Sequence, residues 1–141
     1  MSPELAALAA AALLQGAQYV AVSLPANREL GPAVTLAPRD DGPLVDRVGR
    51  GTARLARALD NHFEALTLFT IAVVVVALGP GTTALTAVLA WVYVAARLLY
   101  VPAYYYGWAP GRSLIWMAGF GATMAMLAAA LIVTFLPIAP G

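Results

Sequence analysis

The 141-residue sequence has no cysteine, no lysine and a single histidine. Without cysteine it can form no disulfide and no thiolate metal site, and it has no cysteine nucleophile of its own. One histidine without a second His or a Cys does not make a metal site, so no metal is expected. Charge is scarce as well. Charged residues make up 11% of the chain, against about 25% in an ordinary soluble domain. The net charge of +1 argues against nucleic acid as a partner. The first apolar run follows "MSPE" with no basic stretch before it and no clean small-residue cleavage site after it, so a removed signal peptide is not expected. There is no lipidation motif and no helix-pair repeat. The apolar runs lack two-residue alternation, so an outer-membrane barrel is a poor fit.

What the chain has in abundance is hydrophobic residues, 62% of the total, with a mean hydropathy of +0.80. A helix crosses a bilayer with about 20 mainly apolar residues. Four segments meet that length: about 4–26, 54–78, 83–106 and 112–136, the last closed by Pro137 and Pro140. The sequence thus predicts an all-α integral membrane protein, a four-helix transmembrane bundle, with residues 1–141 as a single membrane domain. "GPGTT" (Gly79 to Thr83) and "GWAPG" (Gly107 to Gly111) read as tight turns, and about 27–53 as a polar surface loop. In that loop Asp40, Asp41 and Asp46 read as solvated charges.

The arginines set an orientation. The long loop carries Arg28, Arg39, Arg47 and Arg50, and the last turn ends at Arg112. The positive-inside rule therefore puts the first and third loops in the cytoplasm and both termini outside. Tyr104, Tyr105, Tyr106, Trp108 and Trp116 read as an aromatic belt at the cytoplasmic boundary.

Polar residues run into the second span. Arg50, Arg54, Arg57, Asn61 and Glu64 recur at spacings of four and three and share one helical face. Asp60 flanks that face. His62 points elsewhere and reads as a helix-flank residue near the interface. The third span has its own stripe: Tyr93, Arg97, Tyr100 and Tyr104. Spans joined by a tight turn pack antiparallel, so the stripes match in depth, Glu64 with Arg97, Asn61 with Tyr100 and Arg57 with Tyr104. A charge in hydrocarbon is costly, so Glu64 and Arg97 are expected to form a buried ion pair beside a polar cavity open to the cytoplasm. Such a pair can also serve only to fix helix register. Gln15, Gln18 and Tyr19 read first as interhelical hydrogen-bonding groups, second as cavity lining. Ala118, Gly121, Ala122 and Ala125 read as helix-packing contacts. Beyond Glu64 the second span has only Thr67 and Thr70 as polar groups, which argues against a transport path through both leaflets.

"RALDNHFE" (Arg57 to Glu64) resembles the Arg-Ala-x-x-Asn-x-x-Glu signature of the MAPEG family, membrane-associated proteins in eicosanoid and glutathione metabolism, in a bacterial-type member whose membrane would be the inner or plasma membrane. "ARLLYVPAYYYGWAPGRSLIW" is similar to that family's third-helix and third-loop segment. The resemblance covers essentially the whole chain. It implies a left-handed four-helix bundle, a homotrimer, and glutathione as co-substrate bound between subunits in the cytoplasmic half. Residue by residue, it places Arg57, Asn61, Glu64, Arg97, Tyr100, Tyr104 and Ser113 at glutathione-binding positions and makes Arg112 the catalytic arginine near the sulfur. Arg28 would match a basic residue ending the first helix. Two positions depart from the pattern. Asp60 stands where the family is usually apolar or basic, and Ala65 follows Glu64 where some members have Tyr. The implied activity is a glutathione-dependent transferase or peroxidase acting on lipophilic electrophiles, with membrane lipid around it. The departures point to the alternative, a non-catalytic accessory or assembly subunit of a larger membrane complex on the same scaffold.

Overall fold

Four long helices carry most of the chain in the computed structural model, which describes residues 1–135. All four are long and apolar enough to cross a membrane. Helix α1 is Pro3–Leu30, α3 is Arg50–Leu78, α4 is Ala84–Tyr105 and α5 is Ala109–Phe135; a short helix α2, Pro32–Thr35, follows α1. No strand occurs among the described residues. This is the multi-pass membrane architecture that the apolar runs predict.

Helix ends differ from the expected spans for local reasons. Ser2 caps α1, accepting the Leu5 N–H at 3.3 Å, and Pro3 suits the first turn, where its missing N–H costs nothing. The helix passes Pro25 and ends only at Gly31, whose φ of 80° leaves the helical region. Glycine enters that region without a side-chain clash. The start of α5 at Ala109 places Pro110 and Gly111 inside the helix rather than in the turn. Thr83 caps α4 through a reciprocal box with Thr86. The expected stop of the fourth span, from Leu136 to Pro140, lies outside the described residues.

The packed core occupies one half of the bundle. Ala7 and Ala11 of α1, Phe69, Ala72, Val73 and Val76 of α3, Ala90 and Tyr93 of α4, and Met126 and Ala130 of α5 form it. Alanines bring the backbones close, which is how helices gain packing where lipid is as apolar as the side chains. Phe69 and Tyr93 stack face to face, 3.8 Å between centroids. Of the four small α5 residues expected to pack, only Ala122 is buried; Ala118, Gly121 and Ala125 face outward. Gly119 does the packing instead, within 3.4 Å of the Ala96 Cβ once a Cβ is added. At the same end as the core, Glu4 is buried and accepts the Thr86 hydroxyl at 2.7 Å. It sits in the first turn of α1 beside the first turn of α4, where helix dipoles favour a carboxylate.

The opposite end carries the α1–α3 link and the α4–α5 turn. The link from α1 to α3 is more ordered than an open loop: α2 and two 3-10 turns, Arg39–Asp41 and Leu44–Asp46, fill it. Glu29, beyond the apolar run of α1, closes it by accepting the Gly49 N–H and the Thr52 hydroxyl. These two hydrogen bonds hold its carboxyl below the usual 4.5. A group depressed on folding contributes above its unfolded pKa and loses that contribution as pH falls through the folded value. We therefore expect the loop to open in acid below about 4.5, seen as lost hydrogen-exchange protection of the Gly49 amide after the intrinsic pH dependence of exchange is divided out. Glu29→Gln should show one protection factor across the same range. Equal pH dependence in both proteins would show that Glu29 is not the latch.

Candidate ligand groove

The polar faces of α3 and α4 meet on one side of the bundle, next to the loop end. Arg57, Asp60, Asn61 and Glu64 from α3, with Tyr100 and Tyr104 from α4, line an open groove of about 250 Å³. Helical spacing brings the four α3 residues there, since positions three and four apart share a face. Arg57, Asp60 and Glu64 are exposed, Asn61 and Tyr104 are half-buried, and Tyr100 is buried. They give a charged, exposed face to a helix that is long and apolar enough to cross a membrane, and charge in contact with lipid is costly.

The expected ion pair is absent, and Arg97 has a different partner. Arg97 is 2% exposed and donates from Nη1 to Asn61 Oδ1 at 2.8 Å. Its guanidinium also lies 5.4 Å from the ring centroids of both Tyr93 and Tyr100, a cation–π arrangement on two sides. The long Arg side chain spans a helical turn, so equal depth along the helices does not fix which α3 residue it reaches. Asn61 takes the guanidinium, and Glu64 is left free in the groove.

A second cavity adjoins the groove and shares Asn61 and Glu64 with it. It measures about 180 Å³ and is closed by Tyr93 and Arg97 of α4 and by Trp116, Phe120 and Thr123 of α5. Trp116 lines this cavity and remains partly exposed. Its ring stacks on Phe120, 5.1 Å apart and 6° from parallel. The i, i+4 spacing of the two aromatics was the available sequence signal, but composition alone cannot assign their face.

The remaining residues separate. Arg112 is half-buried, its Cζ 4.7 Å from the Tyr104 centroid, so it joins the groove through that ring. Ser113 is exposed and donates to the Ala109 carbonyl at 3.2 Å; it lines neither cavity. Arg28 is exposed on the α1 side. Arg54 is structural, donating to the Tyr105 carbonyl at 2.9 Å, and its guanidinium would meet any Cβ added at Gly107, where φ is 72°. His62 is the clearest correction. It is 1% exposed, and its Nδ1 pairs with Gln18 Oε1 at 2.9 Å. The polar face of α3 is turned to the groove, so the residue after Asn61 turns inward to α1. Gln18 is thus the interhelical group expected of it. Gln15 is buried too, its Oε1 unpartnered, while Tyr19 stays at the surface edge-on to Phe63, 5.8 Å away.

Residues 5–132 match the family model for the MAPEG family. The chain belongs to the MAPEG family. No curated protein and no solved structure matches it significantly. The MAPEG match takes in every groove residue and nearly all of the four long helices. MAPEG proteins are membrane proteins known as a family for glutathione use.

Proposed function

We propose that this MAPEG protein binds glutathione in the α3–α4 groove and transfers its sulfur chemistry to lipophilic electrophiles. One observation carries the reading: Arg57, Asn61, Glu64, Tyr100 and Tyr104 converge in a single open groove, with Arg112 stacked on its edge. A guanidinium fork such as that of Arg57 suits a glutathione carboxylate. Glu64, free of Arg97, is available for the α-ammonium. Asn61 is committed to Arg97 through its oxygen, which leaves its amide hydrogens to donate. The tyrosines orient the tripeptide. Arg97 acts from behind, positioning Asn61. Arg112 stabilises the thiolate, because a nearby positive charge lowers a thiol pKa. Ser113 sits beside it in the chain.

The exposed charges at membrane depth support a homotrimer in which a neighbouring subunit covers the groove. The reading includes one membrane domain for the whole chain, the groove opening to the cytoplasm, both termini outside, and an apolar substrate entering sideways from the bilayer. Glutathione titration of the detergent-solubilised protein, followed by thiolate absorbance, tests it. A saturable thiolate signal is expected. Its absence at millimolar glutathione would end the proposal.

Asp60 favours a second reading. It lines the groove and would repel a ligand with two carboxylates. On that reading the scaffold is retained in a non-catalytic accessory or assembly subunit, and the groove residues only hold the assembly together. Arg57→Ala would then dissociate the oligomer without altering any ligand affinity, and a partner membrane protein would co-purify.

A further inference from the structure

We propose that the thiol suited to the α3–α4 groove carries one carboxylate fewer than glutathione, as a cysteinyl peptide with a neutral or cationic group at one of its two acidic ends, and that Asp60 makes this selection. The inference rests on the reading of the groove as a thiol-peptide site and narrows its ligand.

The charges on the groove wall carry it. From α3 come Arg57, Asp60 and Glu64, all exposed. The α4 side supplies Tyr100 and Tyr104, two phenols. The open wall thus holds one cation and two anions. Two further guanidiniums lie nearby, and each has its own place. Arg97 is 2% exposed and donates to Asn61 Oδ1 at 2.8 Å, so it stands behind the wall. Arg112 lies over the Tyr104 ring at the groove edge, where the thiol-site reading puts the sulfur. Among the described residues, the bond from Arg97 to Asn61 is the one side-chain hydrogen bond made to a groove side chain. Asp60 therefore presents an unpaired carboxylate to whatever enters.

Helix geometry gives that carboxylate its reach. Asp60 comes three residues after Arg57 and four before Glu64, a rise of roughly 4.5 Å and roughly 6 Å along the axis. It stands between the guanidinium that suits a carboxylate and the carboxylate that suits an ammonium. A ligand that spans both poles passes over it. Glutathione brings one ammonium and two carboxylates. Glu64 matches the ammonium, and Arg57 matches one carboxylate. The second carboxylate meets Asp60 and no free cation on the wall. Two like charges roughly 6 Å apart, between the limits of water and of a protein surface, cost ~10-fold in affinity. A peptide that is neutral at that end avoids the repulsion, and one that is cationic there turns it into attraction.

The test compares three thiols on the full-length protein in detergent, each titrated to half-saturation of the thiolate absorbance. They are glutathione, its glycine amide, and γ-aminobutyryl-Cys-Gly, which keeps the ammonium and lacks the carboxylate beside it. One of the two single-carboxylate thiols is expected to bind ~10-fold more tightly than glutathione, and its identity names the end that meets Asp60. Asp60→Asn removes the charge and keeps the shape, and the fold should hold because Asp60 is exposed. In that variant glutathione should gain ~10-fold, while the preferred probe stays within ~2-fold of its wild-type affinity. Added salt should shrink the wild-type preference, since exposed charges are screened. Glutathione binding at least as tightly as both probes in the wild type would overturn the inference and leave the glutathione reading intact. It would mean that a covering subunit already meets the Asp60 charge. A preference unchanged in Asp60→Asn, or indifferent to salt, would also overturn it, because contacts elsewhere would then set it. No saturable thiolate signal with any of the three would remove the thiol-site reading and this inference with it.

Discussion

Arg112→Ala is expected to lower glutathione-dependent turnover by ~10²–10³-fold, the range seen when a single group stabilising a developing or reactive anion is removed. Arg112 lies over the Tyr104 ring, Cζ to centroid 4.7 Å, a contact that holds the guanidinium at the groove edge. A planar, permanently charged group held this way costs little to reorganise when a thiolate arrives. The variant should fold normally, because Arg112 is only half-buried. Raising the assay pH toward ~8.5, the ordinary thiol pKa, should restore part of the lost rate, since the solvent then supplies the thiolate. Arg112→Lys should fall between the two, retaining charge without the stacked plane. Turnover at the wild-type level in Arg112→Ala, or a deficit that no pH relieves, would remove Arg112 from the chemistry.

Phe69→Ala should be the most damaging substitution in the core, costing ~3–5 kcal/mol. Phe69 is fully buried, and its ring lies flat on Tyr93. In a bilayer the loss comes from packing rather than from water, since lipid tails are no less apolar than the ring. Alanine leaves a void that the rigid helices close only in part. Reversible unfolding in mixed detergent and SDS measures the loss. A cost under ~1 kcal/mol would mean that the helices close the gap, the collapse that makes such sites tolerant.

The structure also separates polar residues that share a pattern in the sequence. Glu64 and Arg97 match in depth, yet the guanidinium takes Asn61. Depth follows from rise per residue, whereas partner choice follows from side-chain length and from what surrounds the group. His62 and Asn61 are adjacent in the chain and serve different helices, because a step of one residue turns a helix by about 100°. Asp60 is the instructive case: its place in the groove was legible from spacing, and its consequence for a doubly carboxylated ligand follows from charge alone.

By itself the sequence determined the class and the plan of this protein. Hydrophobic runs of bilayer length leave a helical bundle as the only economical backbone solution where no water can satisfy polar groups. Short turns made neighbouring helices antiparallel. The 3.6-residue period put Arg57, Asn61 and Glu64 on one face and Tyr93, Arg97, Tyr100 and Tyr104 on another. Only the tertiary structure decided how those faces were used. It turned His62 toward Gln18, gave Arg97 to Asn61, set Trp116 against Phe120 in a cavity wall, and enclosed the Tyr93 hydroxyl and Arg97 Nε without a partner. These outcomes depend on how each helix rotates about its axis against its neighbours. That rotation is set by the sum of many small packing contacts, none of which is written in the spacing of polar residues.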